Sequence, residues 1–229
     1  MNKKTKIGKC VYCGLEKEVT DDHVISRNLF PKSHKKKNVI IAPSCWKCNN
    51  GFSKDEEYFR NFVLGLTVGY SQNANALFST KMMRSLNRRP PIAYKTMNQI
   101  EAIHLYTNNG KYMGVKRRIH LTEDDWKRYF NVLNKYIKGL FVHEFETVLS
   151  SDYRIMHRLG SKRMLGHFGY ITKWNKDNKD IFIYGYNREK DTPRSFWITT
   201  FYDTVFFESF ILPEKESEYF KNQHLPLEI

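Results

Sequence analysis

Four cysteines stand in two tight pairs, Cys10-x-x-Cys13 and Cys45-x-x-Cys48, and the remaining residues contain no other cysteine. Each short turn presents two sulfurs to one side of an ion, and two such turns supply the four thiolates of a tetrahedral zinc site. Free buried cysteines are the plainer alternative, but the paired spacing favours metal, and a reducing compartment disfavours disulfides. Four thiolates leave no open coordination position. The expected Zn2+ is therefore structural, and any ion that does chemistry must sit elsewhere. Between the pairs lies Thr20-Asp21-Asp22-His23-Val24-Ile25, a carboxylate directly before a histidine at the end of a predicted strand, and Asn49-Asn50 follows the second pair.

In this order of motifs the chain resembles the HNH endonucleases, which fold as a ββα unit around one catalytic metal. The resemblance covers residues 8 to 66, about a quarter of the chain. It implies that His23 is the general base, that Asp22 and Asn49 are ligands of the catalytic metal, and that Asn38 braces the loop bearing His23 through backbone hydrogen bonds. Asn50 rivals Asn49 as the ligand, and Asp21 rivals Asp22 less strongly because it lies further from the base. Phosphodiester hydrolysis independently needs a base for the attacking water and a cation for the charge that builds on phosphate. An unperturbed imidazole, with a pKa of about 6.5, can take a proton near neutral pH. Asp22 and Asn49 are hard oxygen donors suited to Mg2+ or Mn2+. The chain departs from many family members in ending the motif on Asn rather than His, with Gly51-Phe52 where a basic residue often follows, which favours an oxygen-ligated ion.

Lys and Arg total 38 against 24 Asp and Glu, a formal charge of +14, and this excess points to a polyanionic partner. Arg27, Lys32, Lys35, Lys36, Lys37 and Lys54 surround the motif and are expected to bind DNA backbone without reading its sequence. Lys81, Arg84, Arg88 and Arg89, then Lys116, Arg117 and Arg118, are further basic clusters that could extend the track. His104, His120, His143, His157 and His167 have no matching ligand constellation and read as structural.

The elements that must position these residues are legible in part. A strand is expected around Glu18 to Thr20, a Lys-rich loop over Ser33 to Lys37 and a buried strand over Asn38 to Ala42. Phe52, Tyr58, Phe59, Phe62, Val63 and Leu66 then recur at helical spacing, with Ser53 and Glu56 placed as a capping box, although the helix could begin at the second cysteine pair. Residues Ser71 to Val115 show no clear period, and Arg88-Arg89-Pro90-Pro91 predicts an exposed turn. A second long helix is expected from Thr122 to about Leu149. The end of the chain changes to a strand pattern over Phe168 to Trp174, Ile181 to Tyr186, Ser195 to Phe201 and Thr204 to Leu212. A polar hairpin loop is expected at Asn175 to Asp180, and Pro213 should end the packed body.

The expected fold is α+β: an N-terminal ββα-metal module over residues 1–68 with its four-cysteine zinc site, followed by a mixed helical and antiparallel body over 69–229. The body is expected to select substrate, form a homodimer or dock a partner protein. Resemblance to small bacterial HNH proteins implies a phage-defence or mobile-element setting with a partner such as an ATPase. With 41% hydrophobic and 15% aromatic residues, the chain can build a sizeable core despite a mean hydropathy of -0.61. No apolar run reaches the roughly 18–20 residues of a membrane-spanning helix. The basic start Met1-Asn2-Lys3-Lys4 lacks a following apolar region, so the expected location is the cytoplasm. Two readings compete with a DNA endonuclease: a non-catalytic zinc-knuckle module that binds nucleic acid, and a nuclease that cleaves RNA.

Overall fold

The computed structural model describes residues 6–34, 38–88, 98–160, 169 and 171–221. Lys35, Lys36, Lys37, the Arg89-Pro90-Pro91 turn, His167 and Phe168 fall outside these ranges. The architecture is α+β, and the described residues form antiparallel sheets of three, two and five strands; the first two run in chain order, and in the third the last strand of the chain lies between the first and the fourth of that sheet.

The first sheet comprises β1 (Lys6–Lys9), β2 (Glu16–His23) and β3 (Ile41–Cys45), and helix α1 (Trp46–Gly51) follows β3 directly. His23, the last residue of β2, pairs with Ile41, the first residue of β3, while Val19 pairs with Cys45. Strand β3 begins three residues later than the pattern of Asn38 to Ala42 suggested, and it is an edge strand rather than a buried one. Ile41 is accordingly 50% exposed and Val39 45%. An edge position also suits Pro43, which cannot donate to a further strand. Its carbonyl instead accepts from Val11 N at 3.0 Å and ties the first cysteine turn to β3.

Helix α2 (Ser53–Thr67) continues almost without a break from α1. The Ser53–Glu56 capping box is not formed: Ser53 lies inside the helix, Phe52 precedes it without a side-chain cap, and Glu56 N bonds to Phe52 O at 2.8 Å. The preceding helix already occupies these amides, so a cap has nothing to satisfy. After α3 (Gln72–Leu77), a π turn (Phe78–Met82) and α4 (Met83–Arg88), the region without a clear period contains a ribbon of β4 (Ile100–Tyr106) and β5 (Tyr112–Ile119).

Helix α5 (Glu123–Phe145) starts where expected. Thr122 caps it and Asp125 completes a reciprocal capping box. The five-stranded sheet contains β6 (Tyr153–Leu159), β7 (Lys173–Asn178), β8 (Phe182–Arg188), β9 (Ser195–Phe201) and β10 (Val205–Pro213). Strand β6 carries Arg154, His157 and Arg158 among its apolar residues, which hides its period in the sequence. The expected loop at Asn175 to Asp180 is shorter, because β7 runs through Asn178 with an irregular register. Pro213 does not end the packed body: α6 (Glu214–Lys221) folds back, with Glu214 N on Asp152 O at 2.8 Å and Arg154 paired to Glu214.

Phe59 of α2 lies where the layers meet. Its ring is 6.1 and 6.0 Å from Tyr129 and Tyr136 of α5, and 5.3 and 5.7 Å from Phe201 and Phe207 of the large sheet. Truncating such a residue to Ala typically costs about 3–5 kcal/mol. Buried residues from 1–68 and from 69–229 belong to one continuous cluster. At Gly139 of α5 a Cβ would lie 2.5 Å from Val24, so only glycine lets the helix come this near. Helix α5 therefore crosses against the residue that follows His23.

Candidate metal centre and histidine cleft

The sulfurs of Cys10, Cys13, Cys45 and Cys48 all lie within 4.8 Å of one another. Four sulfurs held 2.3 Å from a tetrahedral zinc are about 3.8 Å apart, so the donor set fits a zinc ion with small adjustments. Backbone bonds close the first sulfur-bearing turn, Cys10 N to Leu15 O at 2.9 Å and Gly14 N to Cys10 O at 2.8 Å, and Cys45 N donates to Cys10 Sγ at 3.3 Å to join the second turn to it. Burial pushes the Cys10 thiol up, but hydrogen bonds from the Cys45, Cys13 and Tyr12 backbones outweigh it and bring it down to about 6. Burial holds the Cys48 thiol above its ordinary value. Lys138 of α5 donates to Tyr12 O at 3.0 Å and pins the first turn from outside.

Asp22 is buried and faces α5. Lys135 Nζ approaches its Oδ2 at 2.9 Å, Tyr12 OH donates to the same oxygen at 2.9 Å, and neither contact uses Oδ1. Lys135 also meets Glu56 Oε1 at 2.6 Å, and Ser26 Oγ donates to Glu56 Oε2 at 3.0 Å. The ammonium lies 5.7 Å from the Tyr12 ring and 5.5 Å from that of Phe52. Burial, then the charge of Asp22, pushes the Tyr12 phenol up and keeps it a donor. Two carboxylates sharing one ammonium, each with a hydroxyl donor, satisfy the condition under which buried charge is tolerated.

His23 is half-buried and neighbours Asp22 in β2, and the alternation of a strand sends the two side chains to opposite faces. Arg27 Nε donates to His23 Nε2 at 2.8 Å. An N–H donor on Nε2 makes that nitrogen an acceptor, so this contact requires its lone pair to be free of a proton. The ring borders a narrow cleft of about 30 Å³, lined by Ile25, Phe30, Asn38, Ile40, Asn175 and Tyr184 among others. That volume exceeds the roughly 10–15 Å³ a water needs.

The far wall of the cleft comes from the β7–β8 hairpin. Asn38, in the left-handed region at φ 41, donates through Nδ2 to Asp177 Oδ2 at 3.0 Å, and His34 contacts Asn178 Oδ1 at 3.4 Å. Asn38 therefore ties the β2–β3 loop, which follows His23, to the hairpin by a side-chain bond. Asn49 is half-buried on α1, and Asn50 donates through Nδ2 to Trp46 O at 2.9 Å. Arg27, Lys32 and Lys54 are exposed. A wider, shallow depression of about 500 Å³ lies over α2 and α5, where Arg128 and Asn131 bind the Asp55 carboxylate.

None of Tyr12, Ser26, Glu56, Lys135 and Asp177 was expected at the site from the sequence, where Glu56 appeared only as a capping residue. Only Lys135 left a signal there: a charged residue at the border of the apolar stripe formed by Val132, Leu133, Tyr136 and Ile137. Among the described residues, the four cysteines form the only group of three or more His, Cys, Asp or Glu placed to share a metal, and no helix is long and apolar enough to cross a membrane. Compared with protein-family models, with curated proteins and with solved structures, the chain matches none.

Proposed function

We propose that the chain is a metal-dependent endonuclease of the HNH type that hydrolyses phosphodiester bonds in DNA. The observation that carries this reading is His23 Nε2, held as a hydrogen-bond acceptor beside a cleft large enough for water, one residue from Asp22. The local order supports it: two antiparallel strands and a helix, with a cysteine turn before the first strand and another at the junction of the second strand with the helix.

His23 receives the proton of the attacking water at Nε2 as the water oxygen bonds to phosphorus and the bond from phosphorus to the leaving ester oxygen breaks, the electron pair going to that oxygen. Arg27 must yield that nitrogen, and its guanidinium is then available to a phosphate oxygen. The donor chemistry of Asp22 and Asn49 fits a hard ion, Mg2+ or Mn2+, which would stabilise charge on the phosphate and the leaving oxygen; since Asp22 and His23 leave β2 on opposite faces, sharing one phosphate would require the Asp22 carboxylate to turn from Lys135 towards the end of the strand. Asp22 can serve through Oδ1 while Tyr12 and Lys135 hold Oδ2, a division in which outer partners orient a ligating carboxylate. Lys32 and Lys54, with Arg27, offer exposed positive charge to the DNA backbone.

The ion pair of Asp22 with Lys135 also favours a second reading, a zinc-knuckle nucleic-acid-binding module in which Asp22 only supports the fold. Incubating the full chain with plasmid, linear duplex and single-stranded DNA or RNA, with Mg2+ or Mn2+, separates the two. Wild type should cleave and a folded His23→Ala variant should be at least ~100-fold slower, a loss within the range of general-base catalysis. Equal rates for the two proteins on every substrate, with zinc bound and the fold intact, would leave the binding module. Selective cleavage of RNA would reassign the substrate.

A further inference from the structure

The β4–β5 ribbon stands apart from the cleft. Its strands pair with each other and, among the described residues, belong to no larger sheet. Its root is fixed: His120 N bonds to Gln99 O at 2.7 Å, and Gln99 Nε2 donates to Asp125 Oδ2 at 2.5 Å at the start of α5. Its far end closes in an ordered turn, with Thr107 N on Lys111 O and Gly110 N on Thr107 O, both at 2.9 Å, and Gly110 at φ +80. At about 3.3 Å per residue the eight residues of β5 extend about 26 Å.

Two features of this arm need a partner. Tyr106 and Tyr112 pair across the tip with ring centroids 5.5 Å apart, and Met113 follows them; these three are 60%, 52% and 67% exposed. Exposed apolar surface gathered at one place marks an interaction site. Charge then selects the partner. Lys111, Lys116, Arg117 and Arg118 all fall on the tip and β5, against a single acid, Glu101, which Arg118 and His120 already contact at 3.5 and 2.9 Å. Lys111 and Arg118 are exposed, and Glu101 is shared between Arg118 and His120, so phosphates match this charge where an apolar protein surface would not. A two-stranded antiparallel ribbon is also narrow enough to enter a major groove about 12 Å wide.

We propose that the β4–β5 ribbon is a duplex-DNA-binding arm, with the basic strand along the phosphates and the Tyr106–Tyr112 tip against the groove. It would hold substrate on the enzyme, so it rests on the nuclease reading. It binds DNA whether or not cutting occurs.

The test measures binding of the full chain, in a His23→Ala background that prevents cutting, to a fluorescent duplex of about 30 base pairs across a salt series. Lys111→Ala with Arg118→Ala should weaken binding at least ~10-fold near physiological salt and lower the salt slope by about two, one contact per cation. Tyr106→Ala with Tyr112→Ala should weaken binding with little change in slope. These side chains are exposed, and unchanged circular dichroism and zinc content verify the fold. Affinity and slope within about twofold of the parent for both double variants would overturn the proposal. So would losses seen with single strands or RNA but not duplex, or a dimer that dissociates on the tyrosine changes while DNA binding holds. Failure of the nuclease reading shows separately, as absence of cleavage by wild type.

Discussion

Lys135, midway along α5, places one buried ammonium 2.9 Å from Asp22 and 2.6 Å from Glu56, and so joins β2 to α2 from a third element. Removing one partner of a buried pair leaves uncompensated charge, which typically costs about 3–5 kcal/mol. Lys135→Met should therefore lower stability by roughly that amount, measured by urea unfolding, while Lys135→Met with Glu56→Gln should recover part of it. If the single variant were within about 0.5 kcal/mol of wild type, the ammonium would not be holding these carboxylates.

Zinc removal should act on the fold rather than on a single step. The two cysteine turns close β1, β2, β3 and α1 around the four sulfurs. Metal analysis should find one zinc per chain, and Cys45→Ser should lose it. Structural zinc sites contribute folding free energy directly, so Cys45→Ser or chelation should lower the melting temperature by several degrees or more. A chain with no zinc and an unchanged melting temperature would remove this role.

Arg27 binds Nε2 of His23 and, in the proposed reaction, exchanges it for phosphate. Arg27→Ala should lower kcat/KM for DNA cleavage by about 10- to 100-fold, the loss of one charge-assisted contact. Arg27→Lys keeps the charge but not the planar fork, and should recover only part of the rate. A rate equal to wild type in the folded Ala variant would show that Arg27 only covers the imidazole.

His157 gives the pH dependence of stability. Its Nδ1 meets Ser209 Oγ at 2.8 Å and its Nε2 meets Asn134 Oδ1 at 3.1 Å, and burial lowers its pKa to about 3. The folded value lies below the unfolded value of about 6.5, so the unfolded chain takes the proton first as pH falls. The stability is complete above about pH 6.5 and is lost progressively as pH falls toward about 3. At about pH 5 the loss attributable to this group is about 2 kcal/mol or less. His157→Gln cannot take the proton, so its stability should change less than that of wild type between about pH 7.5 and pH 5. An identical slope in the two proteins would mean that other groups carry the effect.

By itself the sequence determined the features whose causes are local. Two residues between paired cysteines bring two sulfurs to one turn, Thr122 opens a helix within one turn of chain, and apolar periods over Phe52 to Leu66 and Ser195 to Phe201 distinguish helix from strand. Tertiary structure alone decided what depends on distant chain. Ile41 became an edge residue because, among the described residues, no strand pairs beyond β3, and Ser53 lost its cap to a helix already in place. Strands β4 and β5 lie in a region without a readable period, and β5 contains Gly114 at φ +131. Asp22 met Lys135, and Asn38 met Asp177, only because α5 and the β7–β8 hairpin fold against β2 and its loop. Side-chain partners far apart in sequence leave no local pattern, since their pairing is set by packing of whole elements.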